Sequence, residues 1–135
     1  MKGVIYFLVV VLLSSSIVSG SASAQIEQNA ELMFNKASEH FVKGEYKEAI
    51  TIYDKILNNA PKKNSTIKMK GIVQSNLEEH SKSLKQFFKV LQHRPNDIIS
   101  LTGMGVGFGN LGEYKESAIY FEKALKEKPN SVVNK

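Results

Sequence analysis

Four glycines alternate through Gly103-Met104-Gly105-Val106-Gly107-Phe108-Gly109, and glycine-rich runs are where backbone N–H groups can wrap a phosphate. That chemistry fails on its surroundings. A dinucleotide fingerprint needs a preceding strand and a strand-helix-strand unit, and a P-loop needs a lysine and a hydroxyl at its end; the stretch offers neither. His40, His80 and His93 lack metal-ligand spacing and have no cysteine or carboxylate companions at ligand intervals. His80 stands where Tyr46 and Tyr114 stand in corresponding turns, which suits packing better than catalysis. No nucleophile has a base beside it, and Glu78-Glu79 reads as a solvated charge pair at a helix start. The expectation is a protein without a catalytic centre, without a metal and without a cofactor.

The elements that must position any binding residues follow from the prolines. Pro61, Pro95 and Pro129 are each 34 residues apart, and the same shift superimposes Tyr53, Phe87 and Phe121, then Leu57, Leu91 and Leu125, then Met33, Ile67 and Leu101. At twice that period Gly44-Glu45-Tyr46-Lys47-Glu48 returns unchanged as Gly112-Glu113-Tyr114-Lys115-Glu116. Each period reads as two amphipathic helices around a short turn. In the first, helices are expected over Ala30–Val42 and Tyr46–Asn58, with Ala49, Ile50, Tyr53, Ile56 and Leu57 on one stripe. The second opens at Asn64-Ser65 as N-cap residues, runs to about Leu77 and resumes at Ser81, its turn made by Leu77-Glu78-Glu79-His80 instead of glycine. The third opens with Asp97 as cap, and its second helix carries Ala118, Phe121, Ala124 and Leu125 at helical spacing.

The ends and the balance of charge bound the function. Lys2 is followed by an apolar run from Val4 to Leu13 and then by small residues ending in Ala22-Ser23-Ala24, the outline of a secretory signal peptide cut before Gln25. Residues 1–24 are expected to be that leader, 25–29 a short linker, 30–131 the repeat domain (30–63, 64–97 and 98–131) and 132–135 a tail. Export to a periplasm or the exterior follows; if the leader stays uncleaved it is a membrane anchor instead. A chain without cysteine forms no disulfide and takes no lipid on a thiol. The formal net charge is +5, but the lysines alternate with glutamates along helices, which disfavours nucleic acid. Lys62-Lys63 and Lys68-Lys70 make one positive edge where the second repeat begins. Asn64-Ser65-Thr66 is a glycosylation triplet, a weak signal in an asparagine-rich chain.

From about Ala30 to Ser131 the chain resembles the tetratricopeptide repeat (TPR) family. The small close-packing residue of that family's first helix is matched by Ala37, Gly71 and Gly105, and that of the second helix by Ala49, Ser83 and Ser117, followed by Tyr53, Phe87 and Phe121. The family's leucine and tyrosine in the first helix are replaced by Lys36 and His40, then by Lys70 and Gln74, while Met104 and Phe108 keep them in the third repeat. The resemblance implies an all-α solenoid of three helical hairpins, six helices in a right-handed superhelix, whose first helices line a concave groove for a partner protein or peptide. It also places the four glycines in the first helix of the third repeat. Only Gly105 falls in a close-packing slot there, so the other three are expected to soften that helix.

On that resemblance the groove is lined by Phe34, Ser38 and Phe41, then Lys68, Ile72, Ser75 and Asn76, then Thr102, Val106, Gly109 and Asn110. The carboxylate clamp of some chaperone-binding relatives is missing, since the corresponding positions carry Phe34, Ser38, Met69, Ile99 and Gly103. The implied function is an exported, non-enzymatic interaction module whose partner is a protein or peptide. A different class of function is a self-assembling subunit: the last helix has no polar cap after it, leaving Phe121 and Leu125 for self-association and a homo-oligomer. An accessory subunit of an envelope complex is compatible with the first reading.

Overall fold

The structure, a computed structural model, describes the backbone of residues 2–128 and the side chains of residues 22–128. Among the described residues six α-helices follow one another: α1 (Lys2–Val42), α2 (Tyr46–Asn59), α3 (Asn64–Asn76), α4 (His80–His93), α5 (Ile98–Asn110) and α6 (Tyr114–Glu127). The chain divides into two compact units, Met1–Met33 and Phe34–Lys135. The first unit is helical from Lys2 onward, and of its described side chains only Ala30 and Met33 are even partly covered. Residues 25–29, expected as a linker, are helical, because no proline or turn pair interrupts the sequence between Gly20 and Val42. Among the described residues no helix is long and apolar enough to cross a membrane. Pro129 and the tail after it lie outside the described residues.

The second unit is a stack of hairpins in which α3 packs on α4, α5 on α6, and the hairpins join through α2 against α3 and α4 against α5. Its core is Ala37, Ala49, Tyr53, Ile56, Ile67, Val73, Phe87, Val90, Leu101, Met104 and Ala124, drawn from both helices of each hairpin. All three hairpin turns close the same way. The N–H of Glu45, Glu79 and Glu113 donates to the carbonyl five residues back, on His40, Gln74 and Phe108, at 2.9 Å each. The residue before it must adopt a left-handed conformation, the usual glycine-favouring helix stop. Gly44 (φ 78°) and Gly112 (φ 80°) do so freely, whereas Glu78 (φ 61°) does so with a side chain attached.

Helix starts are less uniform. Asp97 caps α5 as expected: its Oδ2 accepts from the Ser100 N–H at 3.0 Å and from the Ser100 hydroxyl at 2.8 Å. The cap expected from Asn64-Ser65 does not form. Lys63 occupies the N-cap position of α3 without a side-chain bond, Asn64 is already the first helical residue, and its Oδ1 is buried without a partner. Thr66, the third residue of the glycosylation triplet, is fully buried, so that triplet lies folded into the start of α3.

The glycines of α5 correct the sequence expectation. A Cβ on Gly103 would lie 2.5 Å from the Phe87 ring and one on Gly107 2.6 Å from Leu84, both on α4. On the other side a Cβ on Gly105 would meet Phe121 at 2.8 Å and one on Gly109 would meet the Ser117 hydroxyl at 3.2 Å, both on α6. All four glycines therefore let α5 lie close between two helices. The propensity cost of glycine remains, but every one has a packing reason, which the repeat alignment assigned to Gly105 alone.

Candidate functional site

Any site built on the first helices depends on how tightly each hairpin is zipped. In the second hairpin the Ser83 hydroxyl donates to the Gly71 carbonyl at 2.8 Å, and one period later Ser117 donates to Gly105 at 2.7 Å. Both bonds are buried, and both need a glycine partner close enough for a short serine to reach its carbonyl. In the first hairpin the equivalent slots hold Ala37 and Ala49, both fully buried. With the hairpins closed in this way, the opposite flanks of α3 and α5 face each other across the inner side of the stack.

A hollow of about 360 Å³ opens there, lined by Ile72, Ser75 and Asn76 of α3 and by Ile98, Ile99, Thr102 and Val106 of α5. Gly103, Phe87 and Lys128 complete the lining. Ile99 is 52% and Val106 40% exposed, a large apolar surface for residues on a rigid helix. Asn76 turns its amide N–H back to the Ile72 carbonyl at 2.9 Å, which leaves its carbonyl oxygen to accept from a ligand.

Five of the eleven groove residues named from the sequence thus meet in one hollow: Ile72, Ser75, Asn76, Thr102 and Val106. The others are placed differently. Phe34 packs on the fully buried Tyr53 with ring centroids 5.7 Å apart, and Ser38 donates to the Phe34 carbonyl at 3.0 Å while sharing a 3.2 Å hydrogen bond with the Tyr53 hydroxyl. Burial pushes that phenol's pKa up, and the Ser38 bond offsets part of the rise. Phe41 packs on Tyr46 at 5.8 Å across the hairpin turn. Phe34 and Phe41 are both half-buried against their own hairpin. Asn110 lies at the far end of α5, its amide 3.5 Å from Nδ1 of His80.

Lys68 is already paired. Its ammonium donates to Oδ1 of Asp97 at 3.0 Å, with both side chains largely buried. Burial pushes the Asp97 carboxyl up, but the two Ser100 bonds and the Lys68 charge outweigh it and hold its pKa below the usual value. The pair ties α3 to the start of α5, and it occupies the ammonium of a residue named for the groove lining. Lys70 is likewise paired, with Asp54 at 2.6 Å. Sequence reasoning did not name Ile98, and it named Ile99 only as a position where the carboxylate clamp is lost. The signal was present: Ile99 stands one period after Ser65 and two after Glu31, an apolar residue in an otherwise polar position.

His40 pairs with Glu45, and among the described residues no three histidine or acidic side chains converge as metal ligands. The hollow between α3 and α5 thus combines apolar walls with the open carbonyl oxygen of Asn76.

The family model for the tetratricopeptide repeat matches residues 30–63 and 105–131. None of the curated proteins matches the chain in sequence. Among solved structures, MamA is similar at 23% identity with a TM-score of 0.67, over 73% of this chain and 54% of that one. The chain therefore spans about half the length of MamA. The first TPR of Spaghetti (RPAP3), bound to the HSP90 peptide SRMEEVD, is similar at 19% identity and a TM-score of 0.72, over 78% of this chain and 83% of that one. The Sgt2 TPR domain from Aspergillus fumigatus is similar at 18% identity and a TM-score of 0.71, over 76% and 68%. At these identities the likeness is one of fold.

Proposed function

Since the chain is a tetratricopeptide repeat protein, we propose that it is a non-catalytic binding module that takes a partner protein or peptide into the inner hollow between α3 and α5. The observation that carries this reading is the apolar surface of Ile99 and Val106 beside the open carbonyl of Asn76. A folded monomer gains nothing by leaving that surface in water, and an apolar anchor with a few convergent polar groups is how peptide sites are built. The peptide held by the similar RPAP3 structure supports the same use of the fold. The hollow suits an aliphatic or aromatic side chain, because Ile72, Ile98, Ile99 and Val106 make most of its wall. Export, through the apolar leader ending at Ala24, belongs to this proposal, with an accessory role in an envelope complex as one form of it.

A photo-crosslinking residue at Thr102, inside the hollow, tests the proposal against the same residue at Lys55, exposed on α2. A partner joined only from position 102, and lost on Val106→Asp, supports the groove. Identical products from both positions, or none that Val106→Asp removes, overturn it.

One observation favours a second reading. On α6, Phe121 is 38% and Leu125 64% exposed, so that helix offers a surface for self-association. Light scattering of the chain across a concentration series distinguishes the two: a strict monomer ends the assembly reading, and an oligomer abolished by Phe121→Glu sustains it.

A further inference from the structure

On the opposite side of the stack from the inner hollow, α2 and α4 flank a cleft of about 680 Å³ whose floor is α3. Two floor residues depart from the third hairpin and follow the first, where Lys36 and His40 hold the same positions. One period later their positions hold Met104, 4% exposed, and Phe108, which stacks on Tyr120 at 5.6 Å and 17°. In the second hairpin they are Lys70 and Gln74. The exchange has two consequences: the space that apolar side chains fill in the third hairpin stays open, and Gln74 is 95% buried with its Oε1 accepting no hydrogen bond. A buried acceptor without a donor is a cost to the fold that a ligand would remove.

The charges around the cleft define that ligand. Lys70 is neutralised by Asp54 at 2.6 Å and Lys82 by Glu79 at 3.2 Å. Lys47, on the α2 wall, has no such carboxylate, so the lining carries three ammonium groups against two carboxylates, a net charge of +1. Ile50 and Leu77 supply apolar wall between the polar groups. The occupant must bring one negative charge, an N–H for Gln74 and some hydrocarbon.

We propose that this cleft is a second binding site, for a peptide segment with a single acidic side chain, whose carboxylate sits between Lys47 and Lys82 while a backbone N–H donates to Gln74 Oε1. A peptide combines all three features. A phosphate ion carries more charge than the cleft balances and offers nothing to Ile50 and Leu77.

Nuclear magnetic resonance of the full chain, titrated with acetyl-Ala-Glu-Ala-amide, tests the assignment. Saturable shifts of the Gln74 side-chain amide and of Ile50 and Leu77 are expected. The uncharged acetyl-Ala-Gln-Ala-amide, or Lys47→Ala, should bind roughly fivefold more weakly, the scale of one partly screened charge contact. Gln74→Met should lose binding yet melt no lower than the native chain, which separates a lost site from a lost fold. Lys47 is exposed, so its substitution leaves the core untouched. Shifts that grow without saturating, that are equal for the two peptides, that inorganic phosphate alone reproduces, or that fall only on Ile72 and Val106 would overturn the proposal.

Discussion

The second and third hairpins share one plan, and one phenylalanine in each shows where they part. Phe87 and Phe121 occupy equivalent positions, each beside a serine-to-glycine bond of nearly the same length. Phe87 lies between Gly71 of its own hairpin and Gly103 of the next and is 2% exposed. Phe121 lies against Gly105 on one side and is 38% exposed on the other. The same residue in the same register is thus core in one hairpin and surface in the other. Among the described residues α5 covers Phe87 and no further helix covers Phe121, and a repeat buries its apolar face only through its neighbours.

The largest effect comes from deleting the two rings. Phe87→Ala should destabilise the chain by about 3–5 kcal/mol, the range for an aromatic lost from a closed core. Phe121→Ala should cost about 1–2 kcal/mol, because part of its surface is already wet and no closed cavity forms. Urea unfolding followed by circular dichroism compares them. Equal losses would mean that α6 is covered in solution, by a second copy or by another segment, and the comparison would break there.

Next in size is the link between the hairpins. Asp97 and Lys63 stand one period apart at the starts of α5 and α3, and only Asp97 caps its helix and binds a lysine. Asp97→Asn keeps a capping side chain but loses the charge, and should cost about 1–3 kcal/mol at neutral pH, the worth of hydrogen bonds to an ionised group. The pH dependence follows from the lowered carboxyl pKa. A carboxyl held lower in the folded state than in the unfolded one stabilises fully above its unfolded value, near 4, and loses that contribution as pH falls through the folded value. Thermal melts between pH 7 and 2 should fall more steeply for the native chain than for Asp97→Asn in the acid range. Parallel curves would show that Asp97 is not the group responsible.

How much of this was legible in the sequence depends on the distance over which each feature is decided. The hairpins, their turns and the cap at Asp97 rest on residues within one turn or one period of each other, so spacing exposed them. The pairing of Lys68 with Asp97 crosses between hairpins, 29 residues apart, and no periodic signal marks it. Phe34 and Ser38 looked free for a ligand because alignment shows which face of a helix they share, not that Tyr53 reaches across to hold them. Gly103 and Gly107 looked like defects for the same reason. Their value is set by the bulk of Phe87 and Leu84 on a different helix.

Those glycines sharpen the comparison further. Gly103→Ala places a methyl group 2.5 Å from a Phe87 ring enclosed on both sides. Overpacking costs about 1–3 kcal/mol and the gain in helix propensity returns about 1, so a net loss of up to about 2 kcal/mol is expected. Gly105→Ala meets Phe121 at 2.8 Å, but that ring is partly open and can swing outward. Its net change should be close to zero. A Gly105→Ala loss matching that of Gly103→Ala would show Phe121 to be held as firmly as Phe87.

The smallest effect separates the turns, where the second hairpin is the strained one. Glu78 adopts the left-handed conformation that Gly44 and Gly112 occupy in its neighbours, and a Cβ in that region costs about 1–2 kcal/mol relative to ordinary helical backbone. Gly at position 78 would relieve that strain but add freedom to the unfolded chain, about 0.5–1 kcal/mol in the opposite direction. Glu78→Gly should therefore stabilise the chain by a net of up to about 1 kcal/mol. Gly112→Ala should destabilise it by a similar amount, although nothing lies within 4 Å of the added methyl group. Because space is open at position 112, that loss can come only from the backbone angle. Opposite signs for the two substitutions would trace the difference between the turns to φ alone, and a loss on Glu78→Gly would mean that the glutamate side chain makes a contribution larger than the strain it carries.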